Sequence, residues 1–149
     1  MKILDVLKKE AININLTARD KKGVLDELVA PVASSAGATK DQLVKVLLER
    51  ERLGSTGIGK GIAIPHGRTT SAAEITIAFG KSRDGVDYES IDGKPVHLVF
   101  MIIAPPQDEN NMYLPILGKM VEVLSKSKNR NKLIDAESFS EFIEVIEKG

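Results

Sequence analysis

Val96-His97-Leu98-Val99-Phe100-Met101-Ile102-Ile103-Ala104 is apolar at nearly every position and rich in β-branched residues. A run this short, ended by Pro105-Pro106, suits a strand covered on both faces. It decides the fold class, because a strand with two covered faces needs other layers to cover it. Upstream, Ile75, Ile77 and Phe79 alternate as a neighbouring strand, and the polar region that follows carries Asp84-Gly85 and Asp92-Gly93 as turn signals. Downstream, Tyr113, Leu117, Met120, Val121 and Leu124 predict a buried helix face. Pro115 is tolerable only in the first turn of that helix, which puts Tyr113 near its start. Ser138 with Glu141 reads as a capping box opening a last helix, packed down by Phe139, Phe142, Ile143 and Ile146.

Towards the N-terminus, Ile3, Leu4 and Leu7 share a helical face, and Ile12, Ile14 and Leu16 alternate as a half-buried strand. Asp20 can cap a helix whose stripe is Val24, Leu25, Leu28, Val29 and Val32 and which Pro31 kinks or ends. Thr39 with Gln42 is a further capping box, and Leu43, Val46 and Leu47 form the inward stripe of the helix it opens. No repeat or linker divides the chain. The expectation is a single α/β domain over residues 1–149, a sandwich in which helices flank a small mixed sheet.

Composition narrows the function. With 149 residues the chain falls within the usual size of one domain, about 100 to 200 residues. Lys plus Arg number 21 and Asp plus Glu number 21, so no bulk charge steers the protein to nucleic acid or to an anionic membrane. The absence of cysteine excludes disulfides, thiolate catalysis and Cys-containing zinc sites, and fits a reducing cytoplasm. Val96 to Ala104 is too short to span a bilayer, and the N-terminus breaks into charge too early for a secretory signal. A cytoplasmic protein with no direct membrane insertion is expected.

The chemistry is concentrated between Glu49 and Arg68, E-R-E-R-L-G-S-T-G-I-G-K-G-I-A-I-P-H-G-R. Pro65 fixes its own φ and pushes Ile64 to an extended conformation, while Gly67 frees the chain beyond. His66 is therefore expected at the end of a short strand with its imidazole outwards. Gly54 to Lys60 spells a nucleotide-binding P-loop up to its last letter, but Gly61 stands where Ser or Thr must bind magnesium, and a charged helix replaces the preceding strand. The glycines, with the hydroxyls of Ser55 and Thr56, still suggest backbone amides converging on an anion. Two histidines without metal-ligand spacing give no metal site, and no cofactor is called for. His97, in the apolar strand, reads as a structural histidine satisfied by one hydrogen bond. Histidine as nucleophile remains: a neutral imidazole attacks phosphorus without a strong base, and needs positive charge around the transferring group. Arg50 and Arg68 are candidates, although Arg50 at a helix end also fits a residue that snorkels to water and offsets the helix dipole.

This stretch resembles the signature of the enzyme IIA domains of the fructose and mannitol class of the bacterial phosphoenolpyruvate-dependent sugar phosphotransferase system. The similarity includes Arg50, the G-S-T-G-I-G loop and the I-P-H-G core, and the element order agrees along nearly the whole chain. The loop wording and single-domain length look most like the nitrogen-regulatory branch. The resemblance implies a phosphotransferase/anion-transport-protein-like fold and a phosphoryl carrier. His66 matches the phosphorylated histidine, charged through Nε2 by the carrier protein HPr or its nitrogen-branch homologue, and Arg50 matches the arginine that stabilises the phosphoryl group. Ser55, Thr56, Gly57 and Arg68 are the expected phosphate-binding residues. Many members carry a second histidine at the position that is Tyr113 here, and a phenol is no cation near neutral pH.

Three roles follow. The first is a regulatory carrier whose partners, a set of target proteins, change with phosphorylation, since about −1.5 to −2 added charge switches a contact. The second is a sugar-uptake component that hands phosphate to a cysteine of a IIB domain. The third is a binding module that has lost phosphotransfer. All three would use an apolar rim near His66, for which Ile58 and Ile62 are the expected residues.

Overall fold

The computed structural model describes residues 7–107 and 112–148, so the N-terminal face of Ile3 and Leu4 lies outside the described residues. After a 3-10 turn, Lys9–Ala11, come strand β1 (Ile12–Asn13), helix α1 (Lys21–Val29), the single turn α2 (Ala33–Ala36) and helix α3 (Lys40–Glu51). Strands β2 (Gly57–Gly59), β3 (Ile62–Ala63), β4 (His66–Arg68), β5 (Thr76–Val86) and β6 (Val96–Ala104) follow, then helices α4 (Tyr113–Ser125), α5 (Ser127–Asp135) and α6 (Phe139–Lys148).

Strand β6 is the axis of the sheet, whose order is β1-β5-β6-β3-β2. β5 runs antiparallel along one side of β6, while β3 and then β4 run parallel along the other. Paired residues share a face, so the register sorts the helices. Gly67 pairs with Ile103 and Gly80 with Val99. Cβ atoms at these glycines would meet Val46 of α3 and Leu28 of α1, so both helices cover that face. Phe79 pairs with Phe100 on the opposite face, where their rings and that of Phe142 from α6 pack edge to face at 5.5 and 5.1 Å. His66 pairs with Ile102 and Arg68 with Ala104, so both project to this second face, the side of α4.

Local chemistry accounts for the helix starts. Asp20 accepts the Gly23 N–H at 2.8 Å, and the Thr39–Gln42 capping box is closed in both directions. Pro31 lies just beyond the end of α1. Several expectations are corrected. Strand β1 stops at Asn13, because that side chain accepts the Asn15 N–H in an Asx turn and donates to Glu27, which bends the chain away. Asp84-Gly85 is a bulge inside β5 rather than a turn: Gly85 takes φ +94 and its N–H donates to Ser82 Oγ, while the reversal falls at Asp92-Gly93. The buried faces are rotated slightly, to Leu43, Val44, Leu47 and Glu51 on α3 and to Tyr113, Ile116, Met120, Val123 and Leu124 on α4, leaving Val121 exposed. Ser138 caps Glu141 N–H, but the Glu141 carboxylate reaches Glu137 N–H instead of closing the box.

Candidate functional site

The glycine-rich stretch folds as a hairpin. Gly59, Lys60 and Gly61 all have positive φ, at 95, 58 and 77, and the Lys60-Gly61 pair makes the tight two-residue turn between β2 and β3. The glycines serve this reversal. The amides that were expected to gather an anion have partners within the chain: Thr56 N–H donates to Glu51, Gly57 N–H to Ser55 Oγ and Lys60 N–H to Asp92. Thr56 is buried, and its hydroxyl donates to Glu51. The phosphate cradle expected over Ser55, Thr56 and Gly57 is thereby corrected: Thr56 and Gly57 turn inward, and Ser55 alone, half-buried, retains an O–H to donate outward.

His66 opens β4 and is half-buried. Its Nδ1 lies 2.7 Å from the carbonyl oxygen of Ile64. A carbonyl only accepts, so Nδ1 carries the proton of the neutral ring and Nε2 carries the lone pair. Pro65 between them keeps Ile64 extended, which aims that carbonyl at the ring. Arg68, two residues along the same strand, stacks on Tyr113 with its guanidinium carbon 4.5 Å from the ring centroid, and donates to Pro106 O at 3.1 Å. The His66 and Tyr113 rings are 6.5 Å apart. Arg50 lies one turn beyond Val46, whose side chain faces Gly67, and its Nη1 donates to Gly54 O at 2.9 Å. Burial pushes the Tyr113 hydroxyl above its usual pKa, while the charges of Arg68 and Arg50 pull it back. The His66 ring and the Arg68 guanidinium thus both stand beside the Tyr113 ring, within the electrostatic reach of Arg50.

His97 stands apart, with Nδ1–H donating to Ser82 O at 2.9 Å as a structural histidine does. Ile58 is 44% exposed and is available to a rim, but Ile62 is 2% exposed and packs into the core, which removes it from that expected role. Among the described residues, no group of three or more His, Cys, Asp or Glu could hold a metal ion, and no helix is long and apolar enough to cross a membrane.

Sequence reasoning missed a buried ionic cluster under the loop. Glu51 ends α3 and is 9% exposed. Its carboxylate accepts from Thr56 N–H at 2.9 Å, from the Thr56 hydroxyl, and from Tyr88 O–H at 2.7 Å. Lys21 Nζ stands 3.6 Å from Glu51 and 5.0 Å over the Tyr88 ring. Burial first, and then the Glu51 charge, hold the Tyr88 hydroxyl well above its usual pKa. The one available signal was Glu51 itself, a carboxylate at the C-terminal end of α3, where it is out of place against the helix dipole.

Comparison with known proteins supports the fold and identifies the family. The family described as "Phosphoenolpyruvate-dependent sugar phosphotransferase system, EIIA 2" matches residues 5–149. The PTS system fructose-specific EIIABC component of Bacillus subtilis (strain 168) is 45% identical over 98% of this chain, which spans only 23% of that relative's length. The nitrogen regulatory protein of Bradyrhizobium diazoefficiens is 37% identical over 89% of the chain and 86% of its own length. The crystal structure of nitrogen regulatory protein IIA-Ntr from Neisseria meningitidis superposes with a TM-score of 0.89 at 30% identity, covering 95% of this chain and 97% of that one. The chain thus belongs to the EIIA type 2 family of the phosphoenolpyruvate-dependent sugar phosphotransferase system.

Proposed function

We propose that this domain is a phosphoryl carrier that accepts its phosphoryl group on Nε2 of His66 from an HPr-type phosphocarrier protein. The observation that carries the proposal is the 2.7 Å contact of Nδ1 with Ile64 O, which leaves the Nε2 lone pair as the free nucleophile of a neutral ring. In the transfer, Nε2 forms a P–N bond as the donor's phosphoryl bond breaks, and the bonding pair returns to the donor. The proton stays on Nδ1, and its hydrogen bond to Ile64 O disperses the positive charge that grows on the ring. Arg68, held by Tyr113 and Pro106 O, and Arg50 supply charge for the phosphoryl oxygens, with the Ser55 hydroxyl as a further donor.

For the role of the carrier, a nitrogen-regulatory one, in which phosphorylation switches protein partners, is favoured by relatives matched over most of their length. The 45% identity to a fructose-specific component favours the second reading, in which a IIB cysteine drains the phosphate. In either role the domain would work in the cytoplasm.

The test is intact-protein mass after incubation with phosphoenolpyruvate, enzyme I and HPr, beside His66→Ala and His97→Ala. An acid-labile adduct lost only in His66→Ala is expected. No adduct with any of several HPr-type donors would overturn the carrier reading and leave a binding module. Adding candidate IIB domains to the phosphorylated protein then separates the two roles.

A further inference from the structure

We infer that Glu51 is a positioning residue for this site, holding the His66 imidazole and the Arg50 guanidinium in their working arrangement from beneath the loop. The inference rests on the phosphoryl-carrier reading for its kinetic consequence. Its structural half stands alone.

An unbroken hydrogen-bonded path leads from Glu51 to the nucleophile. The Glu51 carboxylate accepts the Thr56 N–H at 2.9 Å, Thr56 O accepts the Ile64 N–H at 3.0 Å, and Ile64 O accepts His66 Nδ1–H at 2.7 Å. Each link fixes the next peptide. The carbonyl that selects the His66 tautomer is therefore held in place by a buried carboxylate that never touches the ring. A second path leads to Arg50. The turn after α3 is closed by Leu53 N–H on Arg50 O and Gly54 N–H on Glu51 O, and Arg50 Nη1 grips Gly54 O. Glu51 ties Thr56 back to the helix end, so it sets the span of the turn that carries this Gly54 carbonyl.

Thr56 N–H, Thr56 O–H and Tyr88 O–H all donate to the Glu51 carboxylate, a set of donors that suits an anion. Burying that anion is costly unless it is compensated. Lys21, whose side chain is 14% exposed, supplies the opposite charge on the side away from the hydroxyls. The same lysine offsets the repulsion that a bare carboxylate would direct at an incoming phosphoryl group. A residue that served only to cap the helix would have no use for a cation and a phenol from other elements.

Glu51→Gln keeps the shape and removes the charge, and Tyr88→Phe removes one donor while leaving Thr56 on the carboxylate. Two readouts are needed. The first, 15N NMR of the His66 ring in the unphosphorylated protein, reports the share of Nδ1-protonated tautomer and needs no phosphoryl chemistry. The second is the rate of phosphorylation by HPr as a function of HPr concentration. Folded Glu51→Gln is expected to lose tautomer purity at His66 and to drop in kcat by about 10- to 100-fold, the scale of a small misplacement of reacting groups, with KM for HPr unchanged. Tyr88→Phe is expected to shift both in the same direction by a few-fold. If either variant folds and matches wild type on both readouts, the inference is overturned. A Glu51→Gln protein that does not fold leaves Tyr88→Phe to decide. A change in KM alone would also overturn it, since that would mark a docking residue. Should wild type itself fail to form the adduct, the carrier reading falls, while the NMR arm still decides whether Glu51 positions His66.

Discussion

Gly67→Ala tests how the site is assembled, because Gly67 lies between the two residues that face α4 and itself faces α3. A Cβ there would stand 2.8 Å from Val46 Cγ1, against an ordinary carbon–carbon separation of about 3.5–4.0 Å. The shortfall is therefore about 0.7–1.2 Å. Val46 has little freedom to turn away, since a β-branched side chain in a helix has one strongly preferred χ1. Helix α3 or strand β4 must give way instead. Overpacking of this kind costs about 1–3 kcal/mol, less the roughly 0.5–1 kcal/mol that Ala gains over Gly within a strand. Arg50 sits one turn beyond Val46, so a retreat of α3 carries its guanidinium away from His66 by a comparable distance. A displacement near 1 Å at reacting groups costs on the order of 100-fold in rate. The assays are the urea midpoint for stability and the time course of phosphorylation by HPr for rate. Adding Val46→Ala should reopen the space and restore most of the rate, although it lowers stability further. Gly67→Ala with wild-type stability would refute the contact itself. Lost stability with a full rate would refute the idea that α3 places Arg50.

Other perturbations separate charge from geometry. Arg50→Lys keeps the cation but loses the planar fork, and slow phosphorylation of a folded protein is expected in the mass assay; a normal rate would return Arg50 to a helix-end role. Tyr113→Phe keeps the ring beneath Arg68 and should slow transfer by no more than about twofold, whereas Tyr113→Leu should slow it about fivefold, the worth of a cation–π contact near 1 kcal/mol. Equal rates in the two variants would show that the stack does not matter. Burial raises the folded-state pKa of Tyr88, so the unfolded chain loses that proton first, near pH 10, and stability present below that pH falls by about 1.4 kcal/mol per unit above it. In urea melts from about pH 9 to 11, Tyr88→Phe should lose this part of the slope; an unchanged slope would mean that the hydroxyl titrates alike in both states.

The central strand and the helix starts were legible because their signals are local. Val96 to Ala104 declares a two-sided burial by composition, and Asp20 and Thr39 cap through contacts within their own turn. Helix α5 was not legible. Ser127–Asp135 offers little apolar surface, and side chains bind it to its surroundings: Asn129 donates to Val123 O, Arg130 donates to Leu124 O and Ser125 O, and the buried Lys81 donates to Ile134 O and Ala136 O. Such bonds depend on the finished fold. The site divides the same way. Pro65-His66-Gly67 marks the candidate nucleophile from sequence alone, and alternation puts Arg68 on the same face. Glu51 at a charged helix end looks solvated until Tyr88, brought back by the β5–β6 connection, closes over it. The glycine run was misread because a tight hairpin and an anion cradle both call for positive φ.

The edge segment that runs along β6 also limits how the protein can vary. Ala63 lies opposite Val99 and His66 opposite Ile102, so the chain advances three residues on each side (66 − 63 and 102 − 99) and keeps step across Ile64-Pro65. Pro65 O still receives the Ile102 N–H at 3.0 Å, although Pro65 itself can donate nothing. The stretch therefore behaves as a ruler. Inserting or deleting a single residue between Ala63 and His66 would exchange the faces, burying the imidazole under α3 and turning Gly67 to the side of α4. Length here is as tightly constrained as residue identity. The connection from β5 to β6 is looser only at its exposed end: Tyr88 and Ser90 are buried, whereas around Gly93 and Lys94 natural or engineered insertions should be tolerated.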